Sequence, residues 1–194
     1  MNPKELIARY SYPVSQPEFL DGLDDFDWTL VTHAHGRATD IPALLHAAHS
    51  DNGFDRKFAF ALLHETVWHQ GTVYEASPHV VPFLISMLEA PLVQDKESIV
   101  LLLSSLATGY SSSESVDYAQ LTKEAVGERI SLLLPYLESE AGWSIAEALA
   151  LYPEHAPETV PALHKALESA QDVHCRELIK EVIAKLVQTE AYDR

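Results

Sequence analysis

A chain of 194 residues with 47% hydrophobic and 22% charged side chains can bury one sizeable core and is too apolar for wholesale disorder. Lys and Arg number 13 against 29 Asp and Glu, a formal net charge of −16 with His neutral, which argues against nucleic acid and anionic membrane and favours a basic protein partner or plain solubility. No apolar run has the length of a membrane span or signal peptide, and the lone Cys175 excludes an internal disulfide or multi-thiolate zinc site, so the cytoplasm is the expected compartment.

The first 38 residues read as a capping segment, followed by one repeat-bearing unit over 39–194. Asp21, Asp24, Asp25 and Asp27 surround Phe26 and Trp28. Two uses fit that cluster. The rings cover the open end of a core while the carboxylates face water, or the acidic patch with its aromatic anchor receives a basic partner.

From about residue 40 the apolar spacing is helical. Expected helices cover 40–50, 55–69, 78–90, 96–109, 120–138, 141–151, 157–170 and 172–188, separated by short polar breaks. Asp40, Ser77 and Asp172 stand where N-caps are needed, Pro42 and Pro78 suit a first turn, and Pro135 predicts a kink deep in its helix. The serines at 111–115 read as a flexible insertion. Strand signals are weak and no hairpin turn is evident.

The loop 70–77 joins two helices. Gly71 suits a left-handed helix end, Val73 and Tyr74 are expected to tuck beneath the loop, and the alternative is a recognition loop presenting His69, Gln70, Tyr74 and Glu75. Seven of the ten histidines lie between residues 33 and 79. His33-X-His35 can chelate from an extended segment, and His46 and His49 are i,i+3 neighbours on a helix. With no third carboxylate or thiolate at ligand spacing, these four are weak metal candidates and no cofactor is expected. His64-Glu65-Thr66-Val67-Trp68-His69 resembles the zinc-protease motif with one residue too many; an i,i+5 pair is rotated about 140° around a helix, which excludes that reading. Glu65 and His69 are the i,i+4 pair. No GxSxG or phosphate-cradling glycine loop occurs, and His174 and Cys175, as adjacent residues on a helix, point apart. Catalytic residues are therefore not assigned.

Four aliphatic-Pro-X-Leu phrases recur, at Ile41–Leu44, Val81–Leu84, Leu134–Leu137 and Val160–Leu163. They resemble HEAT repeats over about residues 38–188, with Pro42, Asp51 and Arg56 matching that family's proline, turn Asp and second-helix Arg, and with Pro82, Asp95 and Lys96 following. The run from His69 to Leu84 resembles a group of bacterial HEAT-repeat proteins with an HQGTVYEA-type loop. The resemblance implies an all-α fold, a short right-handed α-α superhelix of about four antiparallel helix pairs. Some bacterial proteins of this kind stand beside secreted toxins and are considered immunity proteins. What it implies about function is a non-enzymatic protein-binding scaffold, in its concrete form an immunity-type inhibitor of a basic toxin.

Two alternatives come from other classes. HEAT-like DNA glycosylases show that the architecture can host an enzyme acting on nucleic acid, but only Arg37, Arg56, Lys57 and Arg129 offer basic contacts here. A metal-binding regulatory module would draw on His33, His35, His46, His49 and His69.

Overall fold

The computed structural model describes residues 2–11 and 17–192, with side chains through residue 189. Met1, residues 12–16 and residues 193–194 of the two expected segments lie outside the described residues.

The chain is mostly helical, and each helix starts or stops for a local reason. The capping segment itself opens with a helix that the apolar pattern does not announce. It is α1 (Pro3–Tyr10), closed by a capping box between Asn2 and Glu5. A short 3-10 turn (Glu18–Leu20) follows. Next come α2 (Ile41–Ala48), α3 (Gly53–Val67), α4 (Ser77–Glu89) and α5 (Lys96–Ala107). The second half holds α6 (Tyr118–Gly127), α7 (Gly142–Leu149), α8 (Ala156–Ser169) and α9 (Val173–Tyr192). Asp172 accepts from Cys175 N–H at 2.8 Å, the expected cap. Arg176 donates to the last carbonyls of α8, those of Leu167 and Ala170.

Three local expectations fail for identifiable reasons. Asp40 does not cap α2; its carboxylate takes His33 Nε2 at 2.8 Å instead. Ser77 does not cap α4; its hydroxyl donates to Val67 O at 2.6 Å and accepts from Tyr74 N–H at 2.8 Å, closing the loop between α3 and α4. The helix expected over 120–138 breaks after Gly127, ahead of Pro135, and continues as a 3-10 segment (Ile130–Tyr136). Gly127 packs so closely on the Tyr152 ring that a Cβ there would stand 2.7 Å from Cε1. Tyr152 in turn donates to Lys123 O at 2.8 Å.

Five two-residue strands also correct the all-α expectation, building two small sheets. Strand β1 (Thr32–His33) pairs antiparallel with β2 (Gly36–Arg37). Strand β3 (Trp68–His69) pairs antiparallel with β4 (Thr72–Val73), and β4 pairs parallel with β5 (Tyr110–Ser111). Gly71 is therefore a hairpin residue, not a helix end. Gln70 and Gly71 take φ +51° and +88°, the primed turn that matches strand twist. Gln at the first of those positions hides the turn in the sequence. The serine stretch after β5 is ordered by its own hydroxyls. Ser111 Oγ donates to Val116 O and accepts from the N–H groups of Ser113 and Tyr118.

Helices pack pairwise, α2 on α3, α4 on α5 and α8 on α9, while α3, α5, α7 and α9 each touch the next of that row. The core runs between the rows through Leu44, Leu63, Leu84, Leu103, Ile145, Leu163 and Ile179, all buried. Helix α1 lies across α2 and α3, and the 3-10 turn at Glu18–Leu20 rests on α4. Among the described residues no helix is long and apolar enough to cross a membrane.

Charged groups inside this core sit at the start of α3. Asp55, 2% exposed, accepts from Arg9 Nη1 at 2.6 Å and Tyr10 Oη at 2.9 Å, which fastens α1. Arg56, also buried, donates to Asp95 Oδ2 at 2.6 Å and Ser50 O at 2.7 Å, which fastens the α4–α5 turn. Arg9→Ala leaves the buried Asp55 carboxylate with the Tyr10 hydroxyl but no counter-charge, and should lower the urea unfolding midpoint markedly. Asp55→Ala removes the buried charge itself and returns the half-exposed Arg9 to water, so it should cost less, about 2 kcal/mol.

Candidate functional site

The sequence-marked residues fall into three places. The first is the aspartate cluster. Asp21, Asp24, Asp25 and Asp27 are exposed, and Asp27 is engaged locally, accepting from Thr29 N–H and Oγ1. Those bonds hold its carboxyl below the usual carboxylate range. Trp28 is 4% exposed and its indole N–H donates to Leu23 O at 2.9 Å. Its ring packs against Phe26 and Phe83, so it belongs to the core and is not an anchor offered to a partner.

The second place is a pair of facing hairpins. The β1–β2 turn is clamped to the end of α3 by Ala34 N–H donating to Thr66 O at 3.0 Å, and β1 is clamped to the following loop by Ala76 N–H donating to Thr32 O. Glu75 belongs to this clamp, since its Oε2 accepts from Thr32 N–H at 3.1 Å and Thr32 Oγ1 at 3.2 Å. Val73 is fully buried beneath the loop and Tyr74 half-buried, while Gln70 stands exposed at the tip. Gly109 lies against this hairpin so tightly that a Cβ would meet Val73 Cγ1 at 2.5 Å. The clamp brings His35, Glu65 and His69 together, with His69 Nδ1 3.1 Å from Glu65 Oε2. Among the described residues this is the one group of three such side chains whose donor atoms converge, each within 4.8 Å of the others.

His33 is beside it but occupied. Its Nδ1 accepts from His35 N–H at 3.0 Å and its Nε2 faces Asp40, so both ring nitrogens of this weak metal candidate are engaged. His46 and His49 lie apart, at the end of α2, with ring centroids 5.9 Å from each other and Phe19 edge-on to His49. His46 Nδ1 and His49 Nε2 are buried without a hydrogen-bond partner among the described residues, and no third ligand from those residues completes a centre there.

The third place is a groove of about 610 Å³ between the 3-10 segment, α7, α8 and the start of α9. Its rim carries Glu138, Glu140 and Asp172, and Trp143, 51% exposed, stands in its wall. A second hollow of about 330 Å³, edged by Glu97 and Leu101, is lined by the same Trp143 and Glu140. Lys165 pairs with Glu138 at 2.8 Å and holds its carboxyl low. Cys175 lines the groove, its thiol pushed up by burial, which makes it a poor nucleophile. Glu138 and Glu140 contribute to the chain's acidity, but Trp143 is isolated in the sequence and gives no signal of its own.

No family model matches the chain, and no curated protein or solved structure is similar to it at a significant level.

Burial pushes the imidazoles of His46, His49, His64 and His79 below their ordinary value, against weaker upward pulls from Asp24, Asp51, Glu65 and Glu75 respectively. The folded state prefers these rings neutral. As pH falls through about 6.5 the unfolded chain takes up protons first, so stability is full above that value and declines below it. Thermal unfolding followed by circular dichroism should give a midpoint that drops between pH 7.5 and 5.5, and His64→Phe should make that drop shallower.

Proposed function

We infer that this chain is a non-enzymatic binding module of the HEAT-like solenoid type, built to hold a basic protein segment. The observation that carries this reading is the exposed Trp143 between two hollows rimmed by Glu97, Glu138, Glu140 and Asp172, on a chain of net charge −16. An indole face flanked by carboxylates attracts Arg and Lys side chains through its ring quadrupole and the surrounding field, and the apolar floor accepts their methylene stems. The solenoid part rests on the stacked row α3, α5, α7 and α9, on the recurring prolines, Pro42 in the first turn of α2 and Pro82 and Pro161 inside α4 and α8, and on the Arg56–Asp95 link between neighbouring helix pairs. An immunity-type inhibitor of a basic toxin is the concrete form.

A nucleic-acid enzyme is less well supported. Arg56 is committed to Asp95 and Arg129 faces Glu89 at 3.9 Å, while Arg37 donates to Thr29 O. These cations are spent on neighbours and do not gather into a phosphate-binding patch.

A fluorescein-labelled Arg-rich peptide titrated with the full chain tests the reading by anisotropy. Binding should weaken with added salt, and Trp143→Ala and Glu140→Lys should each weaken it about tenfold. Affinity unchanged by both substitutions would remove the groove from consideration.

A further inference from the structure

We propose that His35, Glu65 and His69 form a binding site for a divalent first-row transition ion, zinc foremost. The three side chains come from three elements, the β1–β2 turn, the last turn of α3 and strand β3, and one donor atom from each lies within 4.8 Å of the other two. Donors around a tetrahedral zinc ion stand about 3.4 Å apart, given metal–ligand distances near 2.0–2.1 Å. Glu65 Oε2 and His69 Nδ1, at 3.1 Å, already have that spacing. The ring of His35 stands 5.4 Å from that of His69, edge to face, and both His35 and Glu65 are exposed, so side-chain rotation alone closes the remaining gap.

The backbone beneath the ligands is fixed, and that separates this cluster from a chance meeting of surface residues. Ala34 N–H to Thr66 O joins the residues directly beside His35 and Glu65. His35 N–H is held by His33 Nδ1, and His33 Nε2, which then carries the ring proton, donates to the Asp40 carboxylate at 2.8 Å. His33 is a positioning residue here. The primed turn at Gln70–Gly71 sets the direction of His69. When zinc binds at His69 Nδ1, the proton now shared with Glu65 passes to Nε2, and the ion takes its place between the two side chains.

The donor set selects the ion. Two imidazoles and one carboxylate suit zinc, copper or nickel, whereas calcium and magnesium demand more oxygen ligands than the cluster offers. Three protein ligands leave a fourth position for water or for a group from outside. The bound ion would join the two hairpins across the gap between them.

Full-length protein without a His tag, stripped with chelator, is titrated with ZnCl2 by calorimetry and with CoCl2 by visible absorption. The expected result is one equivalent of zinc, a cobalt spectrum of low coordination number and a raised unfolding midpoint in zinc. His35→Ala, Glu65→Gln and His69→Ala should each weaken binding at least about tenfold, while His46→Gln leaves it unchanged. Circular dichroism of His35→Ala, an exposed turn residue, checks that its loss of binding is not loss of fold. Absence of zinc binding, or binding that survives His35→Ala and His69→Ala, would overturn the proposal.

Discussion

Two opposite charges buried on consecutive residues constrain the whole first half of this molecule. Taking Asp55 and Arg56 out of water is costly unless each meets a partner of fixed geometry. Because they are neighbours in the first turn of α3, they point in different directions and cannot satisfy one another. Asp55 must reach Arg9 and Tyr10 on α1, and Arg56 must reach Asp95 before α5. Three segments distant in sequence are thereby drawn to one helix end. Asp95 meets the demand in a left-handed conformation, φ +54°, that a non-glycine residue adopts only when its surroundings require it. Asn52, one turn ahead, caps the same helix by accepting from Phe54 and Asp55 N–H, so the charges stand at a defined depth.

The other end of α3 shows how backbone groups govern side-chain placement. The helix stops at Val67 and its carbonyl is buried, which obliges a donor to come to it. Ser77 supplies one and in the same stroke accepts from Tyr74. The segment between is too short to wander, and it folds into the β3–β4 hairpin. That hairpin supplies an edge to which Tyr110 and Ser112 donate, through Gly71 O and Val73 O. Glu75, which looks from its position like a residue for a partner, is occupied in tying β1 down. The neighbouring His69 is left free to face His35 and Glu65.

The two surfaces rest on different physics. The hairpin cluster is small, three side chains converging over a backbone fixed by hydrogen bonds between segments. The groove at α7–α9 is broad, and what it offers is field and shape: carboxylates around an indole with apolar walls. Gly142, beside Trp143, lets the start of α7 approach the preceding turn, since a Cβ there would collide with Leu137 O.

The helix series was legible because apolar periodicity is a local property, and the expected spans meet the observed ones within a few residues for α2 to α5 and α7 to α9. Helix α1 escaped because it buries little beyond Leu6, and its signal is the capping pair Asn2 and Glu5 with hardly any apolar stripe. The hairpins escaped because each strand is two residues long, too short for an alternation, and because Gln70 replaces the residues that usually announce a primed turn. Of the site residues, the histidine-rich region and the aspartates around Trp28 were visible as composition. By itself, then, the sequence determined a helical, strongly acidic chain, because helix periodicity and charge are carried by neighbours along the strand. Only the tertiary structure decided that Trp28 is buried while Trp143 is exposed, that His33 is spoken for, and that His35 meets Glu65 and His69. Those facts depend on backbone bonds between segments far apart in the chain, which no local pattern encodes.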